Sequence, residues 1–463
     1  MPYSDQSVYT GEHNQEPDLN FELYAEQLCR IAIKATANSQ EAFTVGIFGS
    51  WGSGKTTLMH CIKKKLNDPK SFQQLFPKGD SLGQTNCKTI WVNPWKYDGK
   101  EDVRNALIQT ILREMANDPD PKLDQNKRKE IMEKALSLSL SIYKISGHTL
   151  RGTIKALTAG GIDTQYISDE IEKALKGGDD KNKIIDPYQF INSFEETFEN
   201  LVKKYVGQNG RLIIFIDDLD RCLPDNALTV LESLKLYLSE VNCVFFIGLD
   251  KRVIEQAVSQ RYKDIKITGK EYIEKIIRLN FFLPDKDPDE VAKIFQLVPI
   301  ITGKYDIQGT ELEKEEAKKL WKMILQATKA NLRKIEQFII AFELIEKIVE
   351  GLNKKIEKQS EKIVWRENYP MLGKILLLQM NFPDFYDALE KNHYLMEQIQ
   401  KTYEQENKSG DEELKFKAVQ NKYPMYEDRT LIKFIVEHFN YGKISSSEDW
   451  KIIHKLSKAV IYE

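Results

Sequence analysis

No window of about 18 residues is both apolar and free of charge, the length a helix needs to cross a bilayer, so no helical membrane span is expected. Cysteine is scarce: five residues in 463, Cys29, Cys61, Cys87, Cys222 and Cys243. None forms a C-x-x-C pair and the number is odd. That argues against a disulfide frame or a zinc site and for small core residues in a reducing compartment. An excess of one charge is also missing. With 67 Lys and Arg against 70 Asp and Glu, the formal net charge is −3. No global basic field therefore draws the chain to nucleic acid or a membrane. The opening stretch, MPYSDQSVYTGEHNQEPD, is polar and lacks the apolar region of a secretory leader, so a cytoplasmic location is the expectation. There is no internal repeat, heptad run or low-complexity tract. What is present is a hydrophobic fraction of 41%, a charged fraction of 30% and an aromatic fraction of 10%. Those values suit a folded globular chain with room for two or three domains.

Residues 43–57, FTVGIFGSWGSGKTT, organise the rest. The apolar run Phe43 to Phe48 reads as a buried strand, and Lys55-Thr56-Thr57 opens a segment with helical character. Between them Gly49, Ser50, Trp51, Gly52, Ser53 and Gly54 complete G-x-x-x-x-G-K-[ST], the phosphate-binding loop. Its glycines let successive backbone N–H groups face one point, where the helix N-terminus also aims its dipole. Lys55 would reach the β- and γ-phosphates of ATP, and the Thr56 hydroxyl would be a ligand of Mg²⁺. An ordinary Gly-rich turn would not need the strand before and the helix after.

Residues 1–17 read as a flexible lead. Leu19 to Ala35 has helical apolar spacing. It is either a plain core-facing helix or one whose start, Asp18 to Tyr24, lines the adenine pocket. The loop helix runs to about Leu66, Asn67 to Cys87 reads as loop with a possible short helical turn, and Lys88 to Asn93 as strand. Glu101 to Met115 is a helix, and residues 117–187 an inserted helical excursion. Phe190 to Tyr205 is helical. Two continuous apolar runs, Leu212 to Ile216 and Cys243 to Leu249, then mark strands buried on both faces of a parallel sheet. Helices over Asp225–Leu238, Val253–Gln260 and Glu271–Leu279 surround the second, and Phe281 to Leu283 is a last short strand. From about residue 288 the strand runs stop. Glu311 to Glu350 shows helical spacing, with Trp321, Ile324, Leu325, Leu332, Ile335, Phe338 and Phe342 as core.

The strand ending in Asp217-Asp218 complements the phosphate loop. Asp217 would hold Mg²⁺. Asp218 would face the γ-phosphate and orient the attacking water. Two adjacent carboxylates there are costly without a cation between them. Asp250 ends the next strand on the same sheet edge, either sensing the γ-phosphate or capping the following helix. Arg221, Arg252, Arg261, Arg278 and Arg333 are candidate partners for transition-state charge.

These motifs are distinctive together. Trp51-Gly52 inside the loop, Asn93-x-Trp95-x-Tyr97, Asp217-Asp218-Leu219-Asp220-Arg221-Cys222, CVFFIGLDKRVIEQAV (243–258) and EYIEKIIRLNFFLP (271–284) resemble the KAP family of P-loop NTPases over roughly residues 18–345. The resemblance implies an α/β three-layer sandwich related to AAA+ and STAND NTPases, with a parallel sheet of strand order 5-1-4-3-2 and an all-helical C-terminal domain after it. The expected division is a core over 18–285, a helical lid over 286–350 and a C-terminal helical domain over 351–463. It also implies that Asn331-Leu332-Arg333 stands where the family has Asn-Pro-Arg, with Arg333 a lid sensor of nucleotide. Arg221 would be a structural or intersubunit residue at the active edge. Many family members carry membrane helices between the loop and the Asp-Asp strand. Here that stretch holds Lys144, His148, Arg151 and Lys155, so no membrane hairpin is expected. Bacterial members are often found in defence against phage and foreign DNA, an expectation that rests on the family alone.

The leading functional reading is a Mg²⁺-dependent ATP hydrolase acting as a conformational or oligomerisation switch, as a homo-oligomer or with a partner protein. The alternative is a slow, nucleotide-gated scaffold holding a protein or DNA. A small-molecule kinase lacks a clear acceptor pocket, and no LSGGQ-like signature supports a transporter ATPase. A nucleic-acid translocase would be expected to carry a basic stripe.

Overall fold

The computed structural model describes residues 20–37, 42–76, 80–98, 103–118, 187–236, 242–263, 268–284, 311–356, 365–405, 411–426 and 428–442, with a few isolated positions elsewhere. The expected lead over 1–17, most of the insert over 117–187 and the first part of the lid lie outside the described residues. Contacts group the chain into two compact units, one over Asn20–Pro284 and one from Asp285 onward.

The first unit is built on five strands: β1 (Phe43–Phe48), β2 (Cys87–Val92), β3 (Arg211–Ile216), β4 (Cys243–Leu249) and β5 (Leu279–Phe282). They form one sheet in the order β2-β3-β4-β1-β5, with every pairing parallel. Read from the other edge, this is the 5-1-4-3-2 order that the family resemblance implies. The central strands β3 and β4 are buried at every residue, as their unbroken apolar runs require. The edge strand β5 alternates between partly buried and exposed positions.

Helices cover both faces. On one lie α1 (Phe21–Ala37) and α2 (Lys55–Asn67), followed by the short α3 (Pro69–Leu75). Alternate strand residues point to this side. They form an aromatic row: Trp91 of β2 stacks on His60 of α2 at 4.1 Å and on Phe215 of β3 at 5.2 Å, and Phe215 on Phe246 of β4 at 5.4 Å. Ile90, Val92, Leu212, Ile214, Ile216, Phe245 and Ile247 point the other way. They share a core with α4 (Val103–Ala116), α5 (Pro187–Val206), α6 (Pro224–Leu236) and α7 (Lys251–Arg261).

Two local expectations need correction. Asn67–Cys87 is more ordered than a loop. Asp68 caps α3 with its carboxylate on the Ser71 N–H, and Asp80 caps a 3₁₀ turn over Ser81–Gln84. The helix expected over Glu271–Leu279 is α8 (Gly269–Ile276), opened by a Thr268–Glu271 capping box. Its C-terminal neighbours have already entered β5, because the Arg278 N–H donates to the Thr44 carbonyl of β1 at 3.1 Å. The helical spacing expected over Glu311–Glu350 is met by two helices, Glu311–Thr328 and Leu332–Lys354. Lys329 and Ala330 take φ 53° and 52°, and the Asn331 side chain accepts from the Lys334 N–H to start the second helix. Non-glycine residues are not an obvious reversal signal, so apolar periodicity alone ran through the break.

The second unit is helical throughout its described residues. Glu311–Thr328 and Leu332–Lys354 pack against Trp365–Asn381, and shorter helices follow at Pro383–Lys391, Leu395–Gln405, Glu412–Lys422 and Arg429–Glu437. Ile324, Ile335 and Phe338 are fully buried, as the spacing implies, with Trp321 and Phe342 nearly so. Leu325 and Leu332 remain partly exposed.

Candidate nucleotide site

The carboxyl ends of β1, β3 and β2 bring the sequence motifs to one sheet edge. After β1 the Gly49 N–H is held by the Leu249 carbonyl at 3.2 Å and the Ser53 N–H by the Ser50 carbonyl at 3.1 Å. Gly54 begins α2 at φ 101°, and a Cβ there would lie 2.7 Å from the Phe21 ring. This position tolerates glycine alone, for backbone and packing reasons together. It also places the start of α1 beside the loop. Asp18 and Leu19 of the expected adenine-lining stretch lie outside the described residues.

Lys55 is 8% exposed. Its Nζ donates to the carbonyls of Gly49 at 3.0 Å and Ser50 at 3.3 Å and pairs with Asp220 Oδ2 at 3.0 Å. The three N–H bonds of the ammonium thus have partners inside the loop. The Thr56 hydroxyl donates to Asp217, 2.9 and 3.1 Å from its two oxygens. Thr56 and Asp217, 161 positions apart, therefore meet directly. Thr57 follows on α2 and is exposed.

The turn after β3 carries three acids. Asp220 pairs with Lys55. Asp218 Oδ1 pairs with Arg221 Nε at 2.7 Å, and its Oδ2 accepts from Asn93 Nδ2 at 2.8 Å. Asp217 has no ion pair among the described residues; its carboxylate accepts from the Thr56 hydroxyl and from the Asp218 backbone N–H. Burial, and next the Asp218 charge, push its carboxyl up to about 6. A buried carboxylate facing a hydroxyl is a hard-oxygen pair suited to Mg²⁺. Thr56 and Asp217 would hold that ion, which would neutralise phosphate charge when bound.

Asp250 caps α7, accepting from the Arg252 N–H at 3.0 Å and pairing with its guanidinium at 2.8 Å. Burial alone would raise this carboxyl, but the bonds from Arg252 outweigh it and hold it below the usual range. Of the two uses open to Asp250, the cap is the one made here. Arg333 sits in the first turn of Leu332–Lys354, in the second unit. Leu332 occupies the first helical position, where proline is commonly found.

Three residues at this edge, Asn93, Asp220 and Trp95, carried no assigned role in the sequence, and Trp51 was expected only as part of the phosphate loop. Asn93 reaches Asp218, and Asp220 reaches Lys55. Trp95, 48% exposed, faces the Arg221 guanidinium at 5.3 Å, and Trp51, 63% exposed, faces it at the same distance. A Cβ on Gly248 of β4 would meet Asp217 Oδ1 at 3.2 Å and Met59 Cε at 3.0 Å. A lone glycine inside an otherwise apolar strand is the readable signal of that close approach.

A parallel sheet with a phosphate loop after its first strand and an acidic turn on the same edge defines a P-loop NTPase fold. The chain belongs to the KAP family, whose P-loop domain matches residues 21–349. An uncharacterized protein of Methanocaldococcus jannaschii is 27% identical over 161 residues, 31% of this chain and 81% of that protein. The phage T7 exclusion protein of Escherichia coli is 23% identical over 258 residues, 54% of this chain but only 31% of that relative's length. The ADP form of the Aeropyrum pernix ORC2 protein aligns over 97% of this chain and 89% of its own, at 11% identity and a TM-score of 0.35. That structural likeness is too distant to carry an argument. No helix among the described residues is long and apolar enough to cross a membrane.

Proposed function

We propose that the chain is a Mg²⁺-dependent ATP hydrolase that works as a conformational or oligomerisation switch. The observation that carries this is the direct meeting of Thr56 with Asp217 beside the Lys55 loop, with Asp218 next in the chain. Phosphate oxygens would replace the Gly49 and Ser50 carbonyls and Asp220 around the Lys55 ammonium. The loop N–H groups and the α2 dipole would add to the same anion site. Asp218 would orient a water and accept its proton as the water oxygen attacks the γ-phosphorus and ADP departs. Arg333 would report from the helical unit, and an arginine of a neighbouring copy would complete the charge. A part in phage exclusion is proposed on the likeness to the T7 exclusion protein.

One feature favours the second reading, a slow nucleotide-gated scaffold for a protein or DNA. Both Asp218 oxygens and the Lys55 ammonium are already engaged within the site. ATP turnover of wild type and Asp218→Asn, across protein concentrations and with or without double-stranded DNA, separates the two. Loss of at least ~100-fold in the variant, with ATP binding kept, supports hydrolysis. A rate per chain that climbs with concentration supports assembly. Equal, negligible rates in both proteins would leave the scaffold.

A further inference from the structure

We propose that Arg221, held between Trp51 and Trp95, is a positioning residue that sets the orientation of Asp218. The inference rests on the reading of Asp218 as the group that orients water. It adds residues that none of the motif roles requires.

Asp218 needs holding. It sits at φ 57°, ψ 28°, left-handed backbone that is uncommon outside glycine, although aspartate takes it more readily than most residues. Its carboxylate is gripped at both ends, by Arg221 Nε at 2.7 Å on Oδ1 and by Asn93 Nδ2 at 2.8 Å on Oδ2. An ion pair between residues three apart in a partly exposed turn is by itself a loose restraint, because both side chains retain rotamer freedom. Here the freedom is removed. The Arg221 guanidinium lies over the Trp51 ring and over the Trp95 ring, 5.3 Å from each centroid. A planar cation on an indole face is attracted by the ring quadrupole, and two such faces restrict its rotation.

The three anchoring side chains come from three segments: Trp51 from the phosphate loop, Trp95 from the 3₁₀ turn over Pro94–Tyr97, Arg221 from the turn after β3. Asp218 is thereby referred to the same loop that would hold the phosphates. Each carboxylate oxygen accepts one of these bonds and has a second lone pair left. The grip therefore fixes direction without using up the capacity to bind a water. Both tryptophans are large apolar side chains left 63% and 48% exposed, which core packing does not require. Their place beside Arg221 gives that exposure a use.

Trp95 is the residue to test, since it is outside the phosphate loop and its truncation removes no buried core. Steady-state ATPase assays of Trp95→Ala are expected to show kcat lowered ~10–100-fold with KM within ~3-fold, the size of a small misorientation of a reacting group. Trp95→Phe keeps an aromatic face and should recover to within ~3-fold of wild type. Arg221→Ala should match Trp95→Ala or exceed it, and the double variant should be no worse than Arg221→Ala, because the indole acts only through the guanidinium. A thermal melt on each protein excludes unfolding as the cause. Wild-type kcat in Trp95→Ala, equal losses in the Ala and Phe variants, or additive losses in the double variant would each overturn the proposal. Asp218→Asn, run alongside, separates the failures. If it keeps full turnover, the role of Asp218 falls; if it is inactive while Trp95→Ala is not, only the positioning proposal falls.

Discussion

Each unit of the protein buries a lysine, and the two are satisfied in different ways. Lys55, 8% exposed, has a carboxylate, Asp220, together with two loop carbonyls. Lys374, 2% exposed in the helix Trp365–Asn381, has carbonyls alone: its Nζ donates to His438 at 2.6 Å and Phe439 at 3.3 Å, just past the helix Arg429–Glu437. Burial drives the Lys374 amine down to about 7. Nearby His438 is likewise pushed down to about 4 by burial, its Nε2 2.6 Å from Gln326 Oε1. The contrast separates two purposes of a buried cation. At the sheet edge the buried ammonium faces a full countercharge, the Asp220 carboxylate. In the helical unit carbonyl dipoles use the amine as a cap for chain ends, where a proton is only weakly held.

The contrast can be broken at several points. The largest effect is expected from Lys55→Met, which should weaken ATP binding about 100-fold by calorimetry, the loss of charge-assisted bonds to phosphate. Lys374→Met should leave that affinity unchanged. Next is Gly54→Ala: at φ 101° with Phe21 2.7 Å from the new Cβ, it should cost the first unit about 1–3 kcal/mol and lower nucleotide affinity, read by urea unfolding and titration.

A pH effect of intermediate size follows from Lys374. Its folded-state pKa lies below the unfolded value of 10.5, so between about 7 and 10.5 the unfolded chain binds the extra proton. Stability therefore rises with pH through that window and is lost as pH falls, by up to about 1.4 kcal/mol per pH unit. Calorimetric melts should show the helical unit melting higher at pH 9 than at pH 7, and Lys374→Met should flatten the slope. A wild-type melting temperature that falls over the same interval would contradict the buried-amine account. The smallest change is expected from Leu332→Pro. Asn331 at φ −76°, ψ 114° already has the backbone a residue before proline needs, and position 332 is the first of its helix. Urea melts should move by no more than about 1 kcal/mol in either direction.

Much of the fold was readable because its signals are local. Unbroken apolar runs mark β3 and β4, and glycines with Lys55-Thr56 mark the loop. The strand order came from the family resemblance, since no local pattern dictates which strands pair. What stayed hidden depends on contacts far apart in the chain. Asn93 and Asp218 lie 125 positions apart, and nothing around Asn93 announces a carboxylate partner. Asp220 looks like a third acid in an acidic turn until Lys55 is placed beside it. The break at Lys329-Ala330 was hidden for the opposite reason: the apolar stripe continues across it, and both residues are ordinary in helices.

Gly248 shows how such an edge is dimensioned. β4 lies between β1, which leads to the loop, and β3, which leads to Asp217, so those two strands stand two strand spacings apart, about 9.6 Å, and Thr56 closes the distance to Asp217 from the start of α2. The intervening strand leads into Asp250, which caps α7, and at Gly248 it has no side chain. It works as a spacer, and its missing methyl leaves the place that Met59 Cε and Asp217 Oδ1 close around. The close approach of Met59 and Asp217 thus depends on a residue that has no side chain to contribute.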